Sequence, residues 1–258
     1  MIRGLMNHPA DPPLWRKAAS LLLALAFIAG VFTFAFSTVG YKWNWPEVWA
    51  YRALFIRGWL VTLVLSAISL VASCLMGLIL TLLRRTPLLP VKYLARIYVE
   101  TIRGTPLLVQ LYIFFYVVAH SFNIENRYLV GVLILSGFSA AYISEVIRAG
   151  IEGVGKSQLD SARAIGLTTV QTYRYVIFPQ AIRHILPPLA GQFASLIKDS
   201  SLLSIISLNE FTFNAQNVSS YTYSTFESYL PLALGYLILT LPISLWTQSL
   251  ERRNRFET

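Results

Sequence analysis

Stretches of about twenty consecutive apolar residues recur along the chain, and the charged residues are gathered between them. A helix needs roughly 20 apolar residues to cross about 30 Å of hydrocarbon. Only 13% of the 258 residues are charged, whereas about a quarter is usual in a soluble domain. The pattern predicts an all-α, polytopic membrane protein with too little polar chain for a separate soluble domain.

Six stretches are predicted to span the membrane, and their ends are uncertain by a few residues. They are about 18–39, 58–83, 98–119, 128–147, 187–208 and 229–250. The first could be a signal peptide, but its apolar part is too long and its cleavage site too weak, so a retained helix is favoured. We therefore expect a tail, an extra helix and an outer loop in 1–57, and a transmembrane core in 58–258.

The distribution of Lys and Arg predicts the orientation. With the N-terminus inside, Lys42, Arg52, Arg57 and Arg127 are the few basic residues that fall outside. Because inner loops of membrane proteins carry the excess of Lys and Arg, both termini should be cytoplasmic. The longest inner connection, about 151–186, is called the connecting segment below.

The chain matches the phosphate-loop pattern G-x-x-x-x-G-K-[ST] at 150–157. Such a loop needs a short buried strand before it and an α/β sheet around it. Here an apolar run of about 20 residues precedes the match. We therefore reject nucleotide binding by this segment.

Other functional classes are also disfavoured. The net charge of +9 comes from basic residues that flank apolar runs, which does not indicate a nucleic-acid surface. Cys74 is the only cysteine, and His8, His120 and His184 lie far apart, so no metal site is expected. No nucleophile and base set suggests an enzyme.

The connecting segment contains signals for two short helices. Ser157 and Asp160 have capping-box spacing, and Gly166 should end the helix that they begin. Thr168 and Gln171 repeat the capping box, and Pro179 should break the second helix. We expect a helix–turn–helix at the inner surface, exposed for docking.

The connecting segment resembles the inner-loop signature of ABC importer permeases, which reads E-A-A, three residues, Gly, about nine residues and I-x-L-P. Here the matching residues are Asp160-Ser161-Ala162, Gly166 and Val176-Ile177-Phe178-Pro179. Four further segments are similar to the polar amino-acid branch of these permeases. They are ETIRGTPLLVQLYIFFY (100–116), AAYISEVIRAGIEGV (140–154), PQAIRHILPPL (179–189) and KDSSLLSIISLNEFT (198–212).

The resemblance implies a type I ABC importer permease fold in the bacterial inner membrane, with a cytoplasmic coupling helix. It implies a second permease copy or a homologous permease, separate ATPase subunits that hold ATP and Mg²⁺, and an external binding protein that delivers a polar amino acid. The chain itself would bind no cofactor. Which amino acid is carried, and whether the dimer is homomeric, stay open.

The resemblance also implies which residues dock on the ATPase. Asp160 would offer a charged contact, Gly166 would permit the turn, and the other contacts are Leu159, Ser161, Ala162, Ile165 and Leu167. In the family, Glu and Ala usually stand where this chain has Asp160 and Ser161. An amphipathic helix that lies in the headgroups is the alternative explanation of this segment.

Charged residues at membrane depth are costly and therefore informative. Glu100 and Arg103, and likewise Glu145 and Arg148, are three residues apart on one helix face and could serve as structural ion pairs or in gating. Lys198, Asp199 and Ser200 lie within the fifth span, where they could line a pathway or pair with a neighbouring helix.

A second functional hypothesis is a self-sufficient channel or proton-coupled carrier that uses Lys198 and Asp199 as a relay. The connecting segment distinguishes the two hypotheses, because such a carrier needs no capped docking segment.

Overall fold

The computed structural model describes residues 13–254, and this part of the chain is helical without any strand. Residues 1–12 of the predicted tail, which include His8, lie outside the described residues. The helices are α1 (Leu14–Val39), α2 (Trp45–Ala50), α3 (Arg52–Leu83), α4 (Leu89–Gly104), α5 (Leu107–Ile113), α6 (Arg127–Glu152), α7 (Lys156–Ala164), α8 (Thr169–Thr172), α9 (Phe178–Asp199), α10 (Phe211–Thr222) and α11 (Thr225–Asn254). Turns of π-helix follow α5 (Phe114–Ala119) and α8 (Tyr173–Ile177), and a 3₁₀ segment follows α9 (Ser200–Ile206). The all-α prediction is confirmed.

The chain divides into two compact units, which meet in sequence between Asn44 and Trp45. The first unit consists of α1, whose apolar side chains, such as Leu23 and Phe27, are exposed. Such a surface is expected of a helix that contacts lipid. The second unit contains all the other helices, and α3 runs across the domain boundary that was predicted after residue 57.

Four helical spans within the described residues are long and apolar enough to cross a membrane. They are Trp15–Thr38, Arg52–Leu83, Arg127–Glu152 and Thr225–Arg252, and they correspond to the predicted first, second, fourth and sixth spans. The bent pair formed by Leu89–Gly104 and Leu107–Ala119 can be counted as a fifth. Length and apolarity therefore support up to five of the six predicted spans.

The third predicted span, 98–119, is not one helix. It is interrupted between α4 and α5, which are bent by 114°. Thr105 and Pro106 are both extended there, because a proline disfavours the helical conformation of the residue before it. The Gln110 side chain bridges the break by donating to the carbonyl oxygens of Ile102, at 2.7 Å, and Thr105, at 3.0 Å.

The predicted helix break at Pro179 is also wrong. Helical backbone runs through Pro179, because Tyr173–Ile177 form a turn of π-helix directly before α9 and Ile177 is itself helical. Local π-helical adjustments let a helix accommodate the missing N–H of a proline. The predicted fifth span, 187–208, is helical as α9 and the 3₁₀ segment. It is not among the candidate spans, because polar residues such as Arg183, His184 and Lys198 are spread along α9.

The second unit is built around the contact between α3 and α6. Small residues of α3, namely Ser66, Ser69, Ser73 and Gly77, are all buried. A β-carbon on Gly77 would lie only 2.8 Å from Cγ2 of Ile143 on α6. Small side chains at these positions permit the close approach of the two helices.

Candidate functional site

The connecting segment is held between the ends of α6 and α9. Within the segment, Val154, Ile177 and Ala181 form a small buried cluster, and Leu159 and Ile185 pack against that cluster. The segment therefore has its own apolar base, which joins α7 to the two long helices on either side of it.

The turn after α7 is a Schellman motif centred on Gly166, which ends the helix as predicted. Gly166 has φ of +77°, in the left-handed region that glycine adopts without a steric cost. Its N–H donates to the Arg163 carbonyl oxygen at 2.9 Å, and the Leu167 N–H donates to the Ala162 carbonyl oxygen at 3.0 Å. These bonds satisfy carbonyl groups that a helix end would otherwise leave free.

Of the two predicted capping boxes, only the second is present. The Thr168 hydroxyl accepts from the Gln171 N–H at 3.3 Å, and the Thr168 N–H donates to the Gln171 side-chain oxygen at 2.9 Å. By contrast, the N-cap of α7 is Gly155, two residues before the predicted Ser157, and it has no side-chain cap. The Asp160 carboxylate instead lies 3.7 Å from the Arg163 guanidinium.

The predicted docking residues do not all face outward. Ile165 is 76% exposed, and Asp160, Ser161 and Gly166 are exposed as well. Ala162 is buried, while Leu159 and Leu167 are half-buried against their own chain. Val170, which is also 76% exposed, was not predicted from the sequence. The outward surface, named the docking face below, comprises Asp160, Ser161, Ile165, Gly166 and Val170.

The structural context of the phosphate-loop match differs from that of a true phosphate loop. The match begins inside α6 and ends in α7. No strand delivers it within residues 13–254. The rejection of nucleotide binding is therefore supported by the local fold.

Glu145 on α6 is the centre of an ion cluster. Its carboxylate contacts the guanidinium of Arg84 at the end of α3, that of Arg148 at 2.8 Å and that of Arg103 on α4 at 3.5 Å. The predicted pair of Glu145 and Arg148 is confirmed. The predicted pair of Glu100 and Arg103 is not formed within the described residues, because Arg103 turns toward Glu145 instead.

A cavity of about 380 Å³ lies beside this cluster, among the ends of α3, α4 and α6, and is called the basic cavity below. Its cationic lining residues are Arg84, Arg85, Lys92, Arg96 and Arg148, and its anionic ones are Glu100, Glu145 and Glu152. Sequence reasoning did not single out Arg84, since its partner Glu145 is 61 residues away along the chain.

The three residues proposed for a pathway differ in exposure. Lys198 is exposed, Asp199 is half-buried and Ser200 is fully buried. The Ser200 hydroxyl donates to the Ile197 carbonyl oxygen at 2.8 Å within its own helix. Lys198 and Asp199 therefore lie in different surroundings, as expected of neighbouring helix positions, which point in different directions.

Glu210 is a buried acid that sequence reasoning missed. Its carboxylate caps α10 by accepting from the N–H groups of Thr212 at 2.8 Å and Phe213 at 2.7 Å. The hydroxyl of Tyr236 also donates to it at 3.2 Å. The position of Glu210 directly before a helical pattern was the available signal, although Glu is not among the usual N-cap residues.

The comparisons with known proteins agree with this fold. Residues 73–256 match the model of the family described as binding-protein-dependent transport system inner membrane component. The chain belongs to this family. The permease is also 36% identical over 201 residues to the probable glutamine ABC transporter permease protein GlnM of Bacillus subtilis, covering 78% of this chain and 93% of that relative.

Two further comparisons support the assignment. The glutamine transport system permease protein GlnP of Escherichia coli K12 is 32% identical over 214 residues, covering 82% of the permease and 98% of that relative. A solved structure described as an amino acid ABC transporter with histidines is 38% identical, with a TM-score of 0.77 over 83% of the permease and all of that chain. The permease therefore has the type I ABC importer permease fold.

Proposed function

We propose that the permease forms half of the translocation pathway of an ABC importer for a polar amino acid, with glutamine as the first candidate. Separate ATPase subunits would hydrolyse ATP, and an external binding protein would deliver the substrate. The relatives that are permeases of glutamine transporters support this choice of substrate.

The docking face is the observation that carries the proposal. It joins two exposed apolar side chains, Ile165 and Val170, to a charged residue, Asp160, around a tight glycine turn. An apolar contact that is rimmed by charge is typical of a protein interface. Since α7 rests on the buried cluster of Val154, Ile177 and Ala181, a push on the docking face would be transmitted to α6 and α9.

The proposed cycle has two states. ATP-driven closure of the ATPases would move the docked segments, and the helices would rock between inward-open and outward-open conformations. The ion cluster at Glu145 ties α3, α4 and α6 together, so we expect those three helix ends to move as one body. Lys198 and Asp199 are proposed to lie near the pathway.

The orientation that we propose has both termini and the docking face in the cytoplasm. A second permease, either a copy or a homologue, completes the pathway. In this arrangement the chain itself binds neither ATP nor Mg²⁺. A self-sufficient carrier remains the competing function, but it leaves the exposed docking face without a purpose.

Reconstitution tests the function directly. The permease, co-expressed with ATPase and substrate-binding protein subunits, should take up labelled glutamine into liposomes only when ATP is supplied on the ATPase side. Uptake by the purified permease alone, driven by a proton gradient, would overturn the proposal in favour of a carrier.

Site-directed cross-linking tests the docking face separately from transport. In a Cys74→Ser background, the substitution Ile165→Cys or Val170→Cys should cross-link to a surface cysteine introduced on the ATPase. Ala162→Cys is the matched control within the same segment, because Ala162 is only 2% exposed. Equal cross-linking from residues 162 and 165 would show that the ATPase does not recognise this face.

A further inference from the structure

The charges of the basic cavity are not balanced. Five cationic side chains and three anionic ones line it. Glu145 and Glu152 are engaged by arginines, and Arg148 contacts both. Arg85, Lys92 and Arg96 have no ion-pair partner within residues 13–254. The cavity therefore presents three uncompensated cations and one free carboxylate, that of Glu100.

The basic cavity lies beside an exposed apolar surface. Lys92, Arg96 and Glu100 are spaced by four residues on α4, so they share one face of that helix. On one side of this face, Ala95 and Val99 are buried against the bundle. On the other side, Leu94 is 71% and Ile97 is 61% exposed. The cations therefore lie between the buried side of α4 and its exposed apolar side.

The length of α4 and the bend after it fit a position in the headgroup layer. Its 16 residues extend about 24 Å at 1.5 Å per residue, which is too short to cross the hydrocarbon. It is bent by 114° from the helical segment that follows it. A short helix with a basic face and an apolar face is typical of the membrane interface, where its cations reach the lipid headgroups.

We propose that the basic cavity binds a phosphate-bearing anion, and that the headgroup of an anionic phospholipid supplies the phosphate. Arginine guanidinium groups match pairs of phosphate oxygens, and basic pockets between membrane helices take anionic headgroups. The volume of about 380 Å³ falls within the range of small-molecule sites, roughly 300–1,000 Å³. The free carboxylate of Glu100 can accept a hydrogen bond from a headgroup hydroxyl, which favours a glycerol headgroup.

The test is a titration of the purified permease in neutral detergent, with bound lipid counted by native mass spectrometry. Short-chain phosphatidylglycerol is the probe, phosphatidylcholine is the zwitterionic comparison, and inorganic phosphate is the lipid-free competitor. The test variant Lys92→Gln/Arg96→Gln should bind phosphatidylglycerol roughly 30-fold more weakly, since each basic residue near an anionic surface contributes about a factor of five. The control Arg163→Gln/Arg174→Gln removes the same charge outside the cavity and should bind normally.

A charge-retaining variant separates electrostatics from folding. Lys92→Arg/Arg96→Lys should bind phosphatidylglycerol as the native chain does, and competition by inorganic phosphate would confirm that phosphate is the recognised group. Binding of phosphate without binding of the lipid would assign the cavity to a free anion and overturn the lipid part. Equal affinity in the test and control variants, or equal affinity for phosphatidylcholine, would overturn the whole proposal. Because no outcome depends on transport, failure here would leave the proposed function intact.

Discussion

Gly150 on α6 packs directly against Ile185 on α9. A β-carbon placed on Gly150 would lie 2.4 Å from Cγ1 of Ile185 and 3.3 Å from the Ala181 carbonyl oxygen. These two helices enter and leave the connecting segment, so the contact closes the base on which α7 stands. The close approach braces the base of a segment of more than thirty residues, as the proposed transmission of motion requires.

The substitution Gly150→Ala should therefore destabilise the permease, because overpacking at a close helix contact costs about 1–3 kcal/mol. The control Gly191→Ala lies within α9 where nothing is within 4 Å of a β-carbon, and it should show only the gain in helix propensity. Thermal unfolding in detergent measures both. The double variant Gly150→Ala/Ile185→Ala should lose less stability than the sum of the losses in the two single variants, because the smaller alanine at position 185 leaves room for the new β-carbon. Losses that simply add would contradict the direct contact.

Gly166 provides a second prediction, which concerns coupling. Gly166→Ala places a β-carbon at φ of +77° and should cost about 1 kcal/mol in the turn. Gly155→Ala is the matched control, since Gly155 has φ of −59° and a β-carbon there would meet only the Ser157 hydroxyl, at an ordinary contact distance of 3.7 Å. In proteoliposomes, only the Gly166 variant should lose part of the ATP hydrolysis that the substrate-loaded binding protein stimulates. The variant Gly166→Pro cannot adopt the turn. Full stimulation of its ATP hydrolysis would show that coupling does not require the docking turn.

The ion cluster leads to a third prediction. Glu145→Gln keeps the side-chain shape but leaves Arg84, Arg103 and Arg148 facing one another without a carboxylate. Since the Glu145 side chain is only 17% exposed, we expect a loss of about 1–3 kcal/mol, between the values for surface and buried pairs. Glu152→Gln is the control, because that side chain is 54% exposed and should cost less than about 1 kcal/mol. Equal unfolding temperatures for the two variants would show that the cluster does not tie the helices together.

A fourth prediction concerns Glu210, which is fully buried. Glu210→Ala removes the acceptor of two backbone N–H groups and should cost about 2 kcal/mol through the lost cap. Glu210→Gln retains one side-chain oxygen and should cost less. Tyr236→Phe removes one donor to the same carboxylate and should cost about 1 kcal/mol. The order of unfolding temperatures checks the prediction, which fails if the alanine variant is as stable as the glutamine variant.

Local patterns predicted the features that depend on neighbouring residues. Thr168 and Gln171 are three residues apart, so their capping box could be recognised without the fold. Gly166 was recognised as the end of α7 for the same reason. The break at Pro106 shows where this approach failed, since the predicted third span was drawn straight through it. Pro179 shows the opposite error, because the helical backbone continues through this proline after a turn of π-helix.

The sequence by itself determined the helical membrane class, four of the spans and the family, because apolar length and short motifs are local properties of the chain. Only the tertiary structure decided that Arg84 and Arg103 meet Glu145, that Ala162 is buried while Ile165 is exposed, and that Gly150 contacts Ile185. These relations join residues from different helices, and they follow from which helix faces pack together. No spacing along a single helix encodes that choice, since each helix offers several faces of similar polarity to its neighbours.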